Sequence, residues 1–371
     1  MPDVQWHTHW PEHLGRNSDN PFCRNSFLRA LEDSGVCQAD GGWAPHHLVL
    51  RDDDHDIALP TYRKTHSWGE YVFDWAWAHA YEQHGLPYYP KLVCALPYTP
   101  SMGPRASAPL NAPLVTRLAQ ALQTEALEQD YSGCHLLFPD DATADLWAEH
   151  TDWAERRDVQ FHWRNQNYRD FDDFLDRFAS RKRKNLRKER RSIEEQGLEL
   201  RCFEGAQIDT AALRQFYIFY HATYLKRGRQ GYLNLEFFEQ LLATQADSLV
   251  LFMAFRGEEG VAAALCFRDS TTLYGRYWGC LDEYNNLHFE CCYYQGIDYC
   301  IRHGLQRFDP GTQGEHKVAR GFEPRITRSF HWLARPDFRE AVERFCEEEA
   351  EMVERYREQM TQALPFKHTD E

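Results

Sequence analysis

Hydrophobic and polar positions alternate with two different periods along the first half of the chain. Short apolar or alternating runs predict strands, and apolar residues recurring every three or four positions predict helices. Gly85 follows one such helix as a C′ glycine would, and Pro113 suits the first turn of another. The strands are expected at 47–51, 57–62, 92–96, 135–138 and 159–163, and the helices at about 75–84 and from Pro113 onward.

The second half repeats this order of elements. Strands are expected at 198–203, 249–255, 261–267, 272–279 and 306–309, with two helices between about 209 and 245 and one at about 287–303. Alternating strands and helices are typical of mixed α/β domains. The last long element, about 337–362, has apolar residues at helical spacing opposite a Glu/Arg face. It predicts a helix docked on the second domain rather than a partner-binding arm.

The length of 371 residues predicts two domains, 1–165 and 166–371. Two short repeats suggest that they arose by duplication. His84-Gly85-Leu86 recurs as His303-Gly304-Leu305, and Phe161-His162-Trp163 recurs as Phe330-His331-Trp332. Each repeat is expected at the same step of a strand, strand, strand, helix, strand order.

Charge and composition exclude several classes of protein. The formal net charge of −15 argues against nonspecific nucleic-acid binding, and no DNA partner is expected. Neither a secretory signal nor an apolar run long enough to span a bilayer is visible. The odd number of cysteines, 11, lacks metal-type CxxC spacing and indicates reduced thiols. We therefore expect a cytoplasmic protein, and the histidines near the N-terminus do not predict a metal site.

A glycine-rich segment at 308–322 carries an unusual set of reactive side chains. Glycines expose backbone N–H groups, Lys317 and Arg320 can bind an anion, and Glu315 or His316 can take a proton from an attacking amine. A solvated polar loop is the alternative.

Upstream, the strand around Tyr277 has a glycine at each shoulder, which favours a bulge. A backbone N–H at that bulge could polarise an acyl carbonyl, and Tyr277 or Tyr294 could protonate the leaving group, although ordinary aromatic packing also explains these tyrosines.

Two further groups of polar residues are candidates for binding. Between Arg181 and Arg191 eight of eleven residues are basic, and a helix at about 180–196 places Lys184, Arg187, Lys188 and Arg191 on one face. That face suits a phosphate-bearing donor as well as it suits solvent. In the first half, a loop rich in proline and glycine is expected to present Arg105 to a substrate cleft, unless it seals the contact between the halves. The residues assigned to acceptor binding are Lys64, His66, Tyr71, Lys91 and Arg105.

Several of these stretches together resemble the FemAB-like family of bacterial N-acyltransferases. The resemblance covers about residues 20–345. It implies tandem GNAT-like domains, each a mixed central sheet flanked by helices, with transfer of an acyl or aminoacyl group to an amine. The matching stretches are His66 to Trp75, the Tyr-Tyr-Pro-Lys ending at Lys91, the Pro-Tyr-Thr-Pro ending at Pro100, the Lys-Arg-Lys-Asn run, Leu287 to Glu290, Gln313 to Lys317, and Arg320 to Phe322.

The resemblance implies no bound cofactor and either acyl-CoA or aminoacyl-tRNA as co-substrate. The chain departs from acetyl-CoA enzymes because no Gln/Arg-x-x-Gly-x-Gly loop stands between Gly279 and His288. The acceptor is expected to be a small molecule or a cell-wall precursor, and the tRNA acceptor end is a candidate partner.

For an enzyme we predict that Arg276, His288, Glu290, Glu315 and His316 converge on one pocket. The catalytic residues are Glu315, His316, Tyr277 and Glu290, and the donor-binding residues are Arg276, His288, Lys317, Arg320, Lys184, Arg187 and Lys188. The alternative is a noncatalytic module that recognises a cell-wall fragment or RNA. Such a module should show an open aromatic groove without a focused acid and base.

Overall fold

The structure is a computed structural model that describes residues 3–14, 18–52, 56–226, 228–312 and 314–367. Gln313 of the glycine-rich segment lies outside the described residues. The chain forms two compact units. Unit 1 comprises Met1–Val159 and Ile326–Tyr356, and unit 2 comprises Gln160–Arg325 and Arg357–Glu371.

The first stretch of the chain contains eight strands and four helices among its described residues. Helix formation follows local signals: the Asn111 side chain accepts from the N–H of Leu114, and Pro113 lies in the first turn, as predicted. The elements are β1 (Val4–His7), α1 (Asn25–Asp33), β2 (Trp43–Pro45), β3 (His47–Leu50), β4 (Ile57–Leu59), β5 (Thr61–Lys64), α2 (Trp75–Gln83), β6 (Lys91–Cys94), α3 (Ala112–Glu128), β7 (Gly133–Leu137), α4 (Asp141–His150) and β8 (Ala154–Arg164).

The remaining elements begin inside unit 2. They are α5 (Phe171–Asp176), α6 (Ser180–Glu195), β9 (Leu198–Glu204), α7 (Thr210–Leu225), α8 (Leu235–Gln245), β10 (Leu249–Arg256), β11 (Glu259–Arg268), β12 (Thr272–Cys280), α9 (Leu287–Phe289), α10 (Gln295–His303), β13 (Arg307–Asp309), β14 (Glu323–Leu333) and α11 (Pro336–Gln362). A π-turn at Glu290–Tyr294 joins α9 to α10, and a 3₁₀ turn occupies Glu315–Arg320. Shorter 3₁₀ turns lie at Glu12–Leu14, Pro21–Cys23, Gly205–Gln207 and Ala246–Ser248.

Each unit contains a sheet with the same order of strand directions. Unit 1 runs β2-β5-β6-β7-β14, with β6 and β7 parallel and the other neighbours antiparallel. Unit 2 runs β10-β11-β12-β13-β8, with β12 and β13 parallel and the others antiparallel, and β9 extends this sheet beside β10. The predicted mixed α/β architecture with two similar sheets is therefore confirmed.

The strand pairing shows which of the two sequence repeats occupies equivalent positions in the two sheets. Trp332 faces Cys134 beside the parallel pair of unit 1, as Trp163 faces Phe308 beside that of unit 2. The Phe-His-Trp repeats thus occupy equivalent strands. The His-Gly-Leu repeats do not, because α2 joins the antiparallel strands β5 and β6 whereas α10 joins the parallel strands β12 and β13. The counterpart of α10 is α3.

The chain returns to unit 1 after unit 2, which differs from the predicted division at residue 165. Residues 326–356 belong to unit 1 because β14 pairs with β7. The C-terminal helix spans nearly the predicted range, but Val342 and Cys346 pack with Trp77 and Tyr81 of unit 1. The sequence had predicted that this helix docks on the second domain. The structure instead packs these two residues of the helix in unit 1.

The described residues contain neither a candidate membrane-spanning helix nor a disulfide bond. No helix within the described ranges combines the length and apolar composition needed to cross a bilayer. All 11 cysteines lie among the described residues, and none forms a disulfide.

Candidate functional site

A cavity of about 280 Å³ opens in unit 2 where β12 and the chain following β13 diverge. Tyr274 and Asp309 form the last residue pair of the two parallel strands. Beyond that pair, Gly275 to Trp278 line one side, and Pro310, Thr312 and Lys317 line another. Residues of α7, β11 and the π-turn complete the wall. We call this space the Tyr277 cavity.

The predicted bulge lies at the edge of this cavity. Leu265 faces Tyr277 and Cys266 faces Gly275, so Arg276 is an extra residue on β12. A bulge places one residue outside the regular ladder and increases the local twist. The Arg276 guanidinium is buried and pairs with Asp309 at 2.8 Å. This ion pair fixes the bulge to the end of β13, and Arg276 and His288 both line the cavity as predicted.

Tyr277 supplies a buried hydroxyl to the cavity. Its ring packs edge-on against Tyr220 and Phe238, and its Oη has no hydrogen-bond partner among the described residues. Burial raises the pKa of this hydroxyl, which therefore stays protonated at neutral pH. An unsatisfied buried hydroxyl is costly, so it points to a ligand that completes the hydrogen bond.

The glycine-rich segment brings Lys317 into the same cavity. Gly314 has a φ of +104°, and a Cβ there would lie 2.4 Å from the His316 ring, so only glycine fits. Lys317 is buried, and its Nζ donates to the carbonyls of Gly311 at 2.7 Å and Thr312 at 3.2 Å. Burial lowers its pKa to about 8. Lys317 lines the cavity, and its ammonium has no carboxylate within ion-pair distance in the described part of the chain.

Neither His316 nor Glu315 lines the cavity, but His316 is linked to it through a hydrogen bond. His316 Nε2 lies 2.8 Å from the hydroxyl of Tyr293, a cavity-lining residue of the π-turn. Partial burial, reinforced by Lys317 and Arg320, lowers the pKa of His316 and favours the neutral imidazole. Glu315 is exposed and does not line the cavity. Of the two predicted bases, His316 is the one connected to the site.

Arg320 has a structural contact that the sequence did not predict. It is buried, donates to Glu189 of α6 at 2.8 Å and to the His316 carbonyl at 2.8 Å, and its guanidinium lies 3.5 Å from the Phe289 ring centre. Glu189 also accepts from the Tyr294 hydroxyl. Arg320 does not line the Tyr277 cavity, and its charge holds the 3₁₀ turn that carries His316 and Lys317. Its assignment to donor binding stays a prediction.

Residues in and next to the π-turn at Glu290–Tyr294 point to two different spaces. His288 and Tyr293 line the Tyr277 cavity, whereas Glu290 is buried beside Arg190 of α6 at 3.0 Å and lines a second space with Arg187 and Arg191. A π-turn adds one residue per turn and is frequent at functional sites. The prediction that Glu290 shares the pocket of Arg276 is wrong, since the carboxylate faces α6.

The basic helix forms as predicted, over Ser180–Glu195. Lys184 and Lys188 are exposed and have no carboxylate within ion-pair distance among the described residues. Arg187 is exposed and pairs with Asp172 at 2.8 Å. A cationic stripe is therefore present on α6, but Lys184 and Lys188 do not line the Tyr277 cavity.

The predicted acceptor residues of unit 1 do not form one cleft. Lys64 is buried over the Trp43 ring at 3.7 Å, and its Nζ lies 3.5 Å from His66. Lys91 is buried in an ion-pair network, and Tyr71 lines a separate cavity of about 240 Å³. The sequence could not predict that these side chains lie apart, because the burial of a lysine cannot be read from its neighbours in the sequence.

The prediction that Arg105 is presented to a substrate cleft is also wrong. It is buried rather than presented to a cleft, and its guanidinium donates to the carbonyls of Leu137 at 2.8 Å, Gly103 at 3.0 Å and Ser101 at 2.7 Å. These carbonyls follow β6 and end β7. Arg105 thus fills in unit 1 the position beyond the parallel pair where unit 2 has its cavity.

Comparisons with known proteins agree with this architecture. A family model described as peptidoglycan biosynthesis/recognition matches residues 2–368. The chain belongs to the FemAB-like family. No curated protein matches this FemAB-like chain by sequence. Its fold, which is mixed α/β with tandem GNAT-like units, is similar to several solved structures.

The structure of L-PGS from Bacillus licheniformis is 11% identical and has a TM-score of 0.51, with 86% of this FemAB-like chain and 96% of that chain covered. The C-terminal domain of a protein described as a lysylphosphatidylglycerol synthetase from Agrobacterium fabrum is 10% identical, with a TM-score of 0.50 and coverage of 88% and 91%. A tandem GNAT protein from the clavulanic acid biosynthesis pathway is 12% identical, with a TM-score of 0.39 and coverage of 90% and 99%. The first two likenesses concern the fold alone.

Proposed function

We propose that this chain is an N-acyltransferase that uses the Tyr277 cavity. It transfers an acyl or aminoacyl group from a phosphate-bearing donor, acyl-CoA or aminoacyl-tRNA, to an amine of a peptidoglycan or other cell-envelope precursor. The observation that carries the proposal is the buried Tyr277 hydroxyl, without a partner among the described residues, next to the bulge in β12. Membership of the FemAB-like family supports the choice of cell-envelope chemistry.

In the proposed reaction a neutral amine attacks the donor carbonyl carbon. The new C–N bond forms while negative charge develops on the carbonyl oxygen, which a backbone N–H at the bulge stabilises. The bond to the donor oxygen or sulfur then breaks, and Tyr277 gives its proton to that leaving atom. The proton lost by the amine passes by way of Tyr293 to His316. Solvent restores Tyr277 and discharges His316.

Charge determines where the donor's anionic groups bind. Lys317 provides a buried ammonium at the cavity wall, and the exposed cations of α6 provide a longer stripe for a polyanionic donor. Arg276 faces Asp309 and therefore supports the bulge rather than contributing an unneutralised charge.

One observation favours the noncatalytic alternative. No carboxylate lines the Tyr277 cavity in the described ranges, so the predicted catalytic carboxylates Glu315 and Glu290 are not at its wall. A binding module would use the same aromatic lining without proton transfer. The two functions differ in whether the Tyr277 hydroxyl affects turnover.

Transfer assays with radiolabelled acyl-CoA and aminoacyl-tRNA, each with a soluble amine-bearing peptidoglycan precursor, test the proposal. Tyr277→Phe should lower kcat by about 100-fold because general acid catalysis contributes at least that much. Tyr217→Phe, on α7 and outside the cavity lining, is the matched control and should leave kcat unchanged. Wild-type rates in Tyr277→Phe, or ligand binding without turnover of either donor, would contradict the enzymatic function.

A further inference from the structure

One buried carboxylate touches both segments that diverge at the Tyr277 cavity. Asp309 ends β13 and is 2% exposed. Its Oδ2 accepts from the Arg276 guanidinium at 2.8 Å, and its Oδ1 accepts from the backbone N–H of Gly311 at 2.9 Å. The two oxygens of a single side chain thus join the bulge in β12 to the first turn of the glycine-rich segment.

Gly311 extends these contacts to Lys317. Its carbonyl accepts from Lys317 Nζ at 2.7 Å. Gly311 has a φ of +86°, and a Cβ at this position would lie 3.4 Å from Arg276 Nη1. Glycine therefore allows the chain to turn directly beside the bulge. In this way Asp309 is connected through one residue to the ammonium at the cavity wall.

Three charged groups influence one another across these contacts. Burial lowers the pKa of Lys317 to about 8, while the Asp309 carboxylate opposes this shift and the Arg276 guanidinium adds to it. Two further titratable groups face the same contacts and are uncharged at neutral pH. Burial lowers the pKa of His162, whose Nε2 lies 3.8 Å from Asp309 Oδ1, to about 4, and burial raises the pKa of the Cys292 thiol. The charge of Lys317 therefore depends on the balance between Asp309 and Arg276.

The stability of the fold does not explain the buried ion pair of Asp309 and Arg276 by itself. Such a pair contributes little net stability, because removing two charges from water costs about as much as their attraction returns. Apolar side chains of similar volume often replace a buried pair without loss. A pair that involves the extra residue of a bulge, and that also holds the backbone leading to Lys317, indicates positioning instead.

We propose that Asp309 is a positioning residue that holds Lys317 beside the β12 bulge while its charge offsets that of Arg276. The inference deepens the proposed function and rests on it, because Lys317 is the group assigned there to the anionic part of the donor. Asp309 does not line the Tyr277 cavity and takes no step in the transfer.

Carbon-13 NMR of lysine Cε in the full chain tests the inference, because this resonance reports whether each ammonium is protonated. The resonance that is missing in Lys317→Met belongs to Lys317. Asp309→Asn removes the negative charge and keeps an oxygen for the Gly311 N–H, so Lys317 should lose its proton at lower pH than in the wild type. Arg276→Met removes the positive charge, so Lys317 should lose its proton at higher pH.

Opposite shifts in the two variants separate positioning by charge from simple loosening of the segment. Loosening would expose Lys317 to water and move both titrations upward, toward the ordinary lysine pKa of 10.5. Asp269→Asn is the matched control, because Asp269 lies before β12, accepts from the N–H groups of Thr271 and Thr272, and does not line the cavity. It should leave the titration of Lys317 unchanged.

An upward shift or no shift in folded Asp309→Asn would overturn the inference. If that variant does not fold, adding Asp309→Asn to Arg276→Met removes both charges together. The double variant should still titrate at lower pH than Arg276→Met alone, and an equal titration would overturn the inference as well. The NMR readout needs no turnover, so a failed transfer assay would contradict the proposed function and leave this result unaffected.

Discussion

Lys91 and Lys317 are both buried lysines, but their surroundings give them opposite properties. Lys91 faces Glu70 and Asp74, and these carboxylates raise its pKa despite the burial that opposes ionisation. Lys317 faces backbone carbonyls, and burial lowers its pKa to about 8. The first ammonium is therefore a permanent structural charge, and the second is available to a ligand and sensitive to pH.

The stability contributed by Lys317 should vary with pH in a defined window. The unfolded lysine holds its proton up to about pH 10.5 and the folded one only to about 8, so the unfolded state binds more protons between these values. Stability must then rise with pH across this range. In urea unfolding, the difference in free energy between the wild type and Lys317→Met should shift in favour of the wild type from pH 8 to 10.5. A constant difference would show that the lysine is not buried as described.

Replacing Lys91 should be far more damaging than replacing its partner Glu70. Lys91→Met leaves two buried carboxylates without their cation and should cost about 3–5 kcal/mol. Glu70→Gln keeps an oxygen for Lys91 and removes a carboxylate whose pKa burial has raised to about 7, so it should cost about 1 kcal/mol or less. Urea unfolding of the two variants measures both values, and similar losses would refute the network.

At the scale of elements, α6 determines the position of the 3₁₀ turn at the reaction site. Glu189 accepts from Arg320 and Tyr294, so it is a positioning residue rather than a catalytic one. Glu189→Gln should increase hydrogen exchange of the amides at 315–321 and lower kcat by about tenfold through misplacement of His316. Glu195→Gln, at an exposed position of the same helix, is the matched control. Unchanged hydrogen exchange in Glu189→Gln would mean that the 3₁₀ turn keeps its conformation without the contact to Glu189.

The exposed face of α6 should make donor binding depend on salt if the donor is a tRNA. Removing the charges of Lys184, Lys188 and Arg191 should reduce the slope of log K against log salt concentration by about two to three. A triple Gln variant at Arg169, Arg201 and Arg214 removes the same number of cations at positions that already pair with carboxylates. Filter binding should show little change for this control, and equal slopes for both triple variants would exclude α6 as the contact.

Sequence periodicity predicted most strands and helices, because their apolar faces contact the core directly. It missed the elements β1, α1, β2, α4, α5 and β14. The partner strand of β14, β7, lies far away in the chain. At the site, glycine spacing predicted the bulge and the segment carrying Lys317. The inward position of Arg105 and the ion pair of Arg320 with Glu189 could not be predicted, since both depend on residues brought together only by the fold.

At the scale of the whole molecule, the two similar sheets are not two similar sites. Arg105 fills the position beyond the parallel strands in unit 1, whereas the equivalent position in unit 2 is the Tyr277 cavity. A nonreactive donor analogue should therefore bind once per chain in calorimetry. Arg105→Met should retain this stoichiometry while losing about 1–3 kcal/mol of stability, because three carbonyls lose their donor. Binding of two analogues per wild-type chain would contradict this assignment.

The pairing of β7 with β14 has a consequence for synthesis of the protein on the ribosome. His135 and His331 hydrogen-bond across 196 residues of chain. The N-terminal segment consequently cannot complete its sheet until residue 333 has left the exit tunnel, and the edge of β7 must wait unpaired while the intervening residues are translated. During that interval the nascent chain should be most prone to aggregate and most dependent on chaperones.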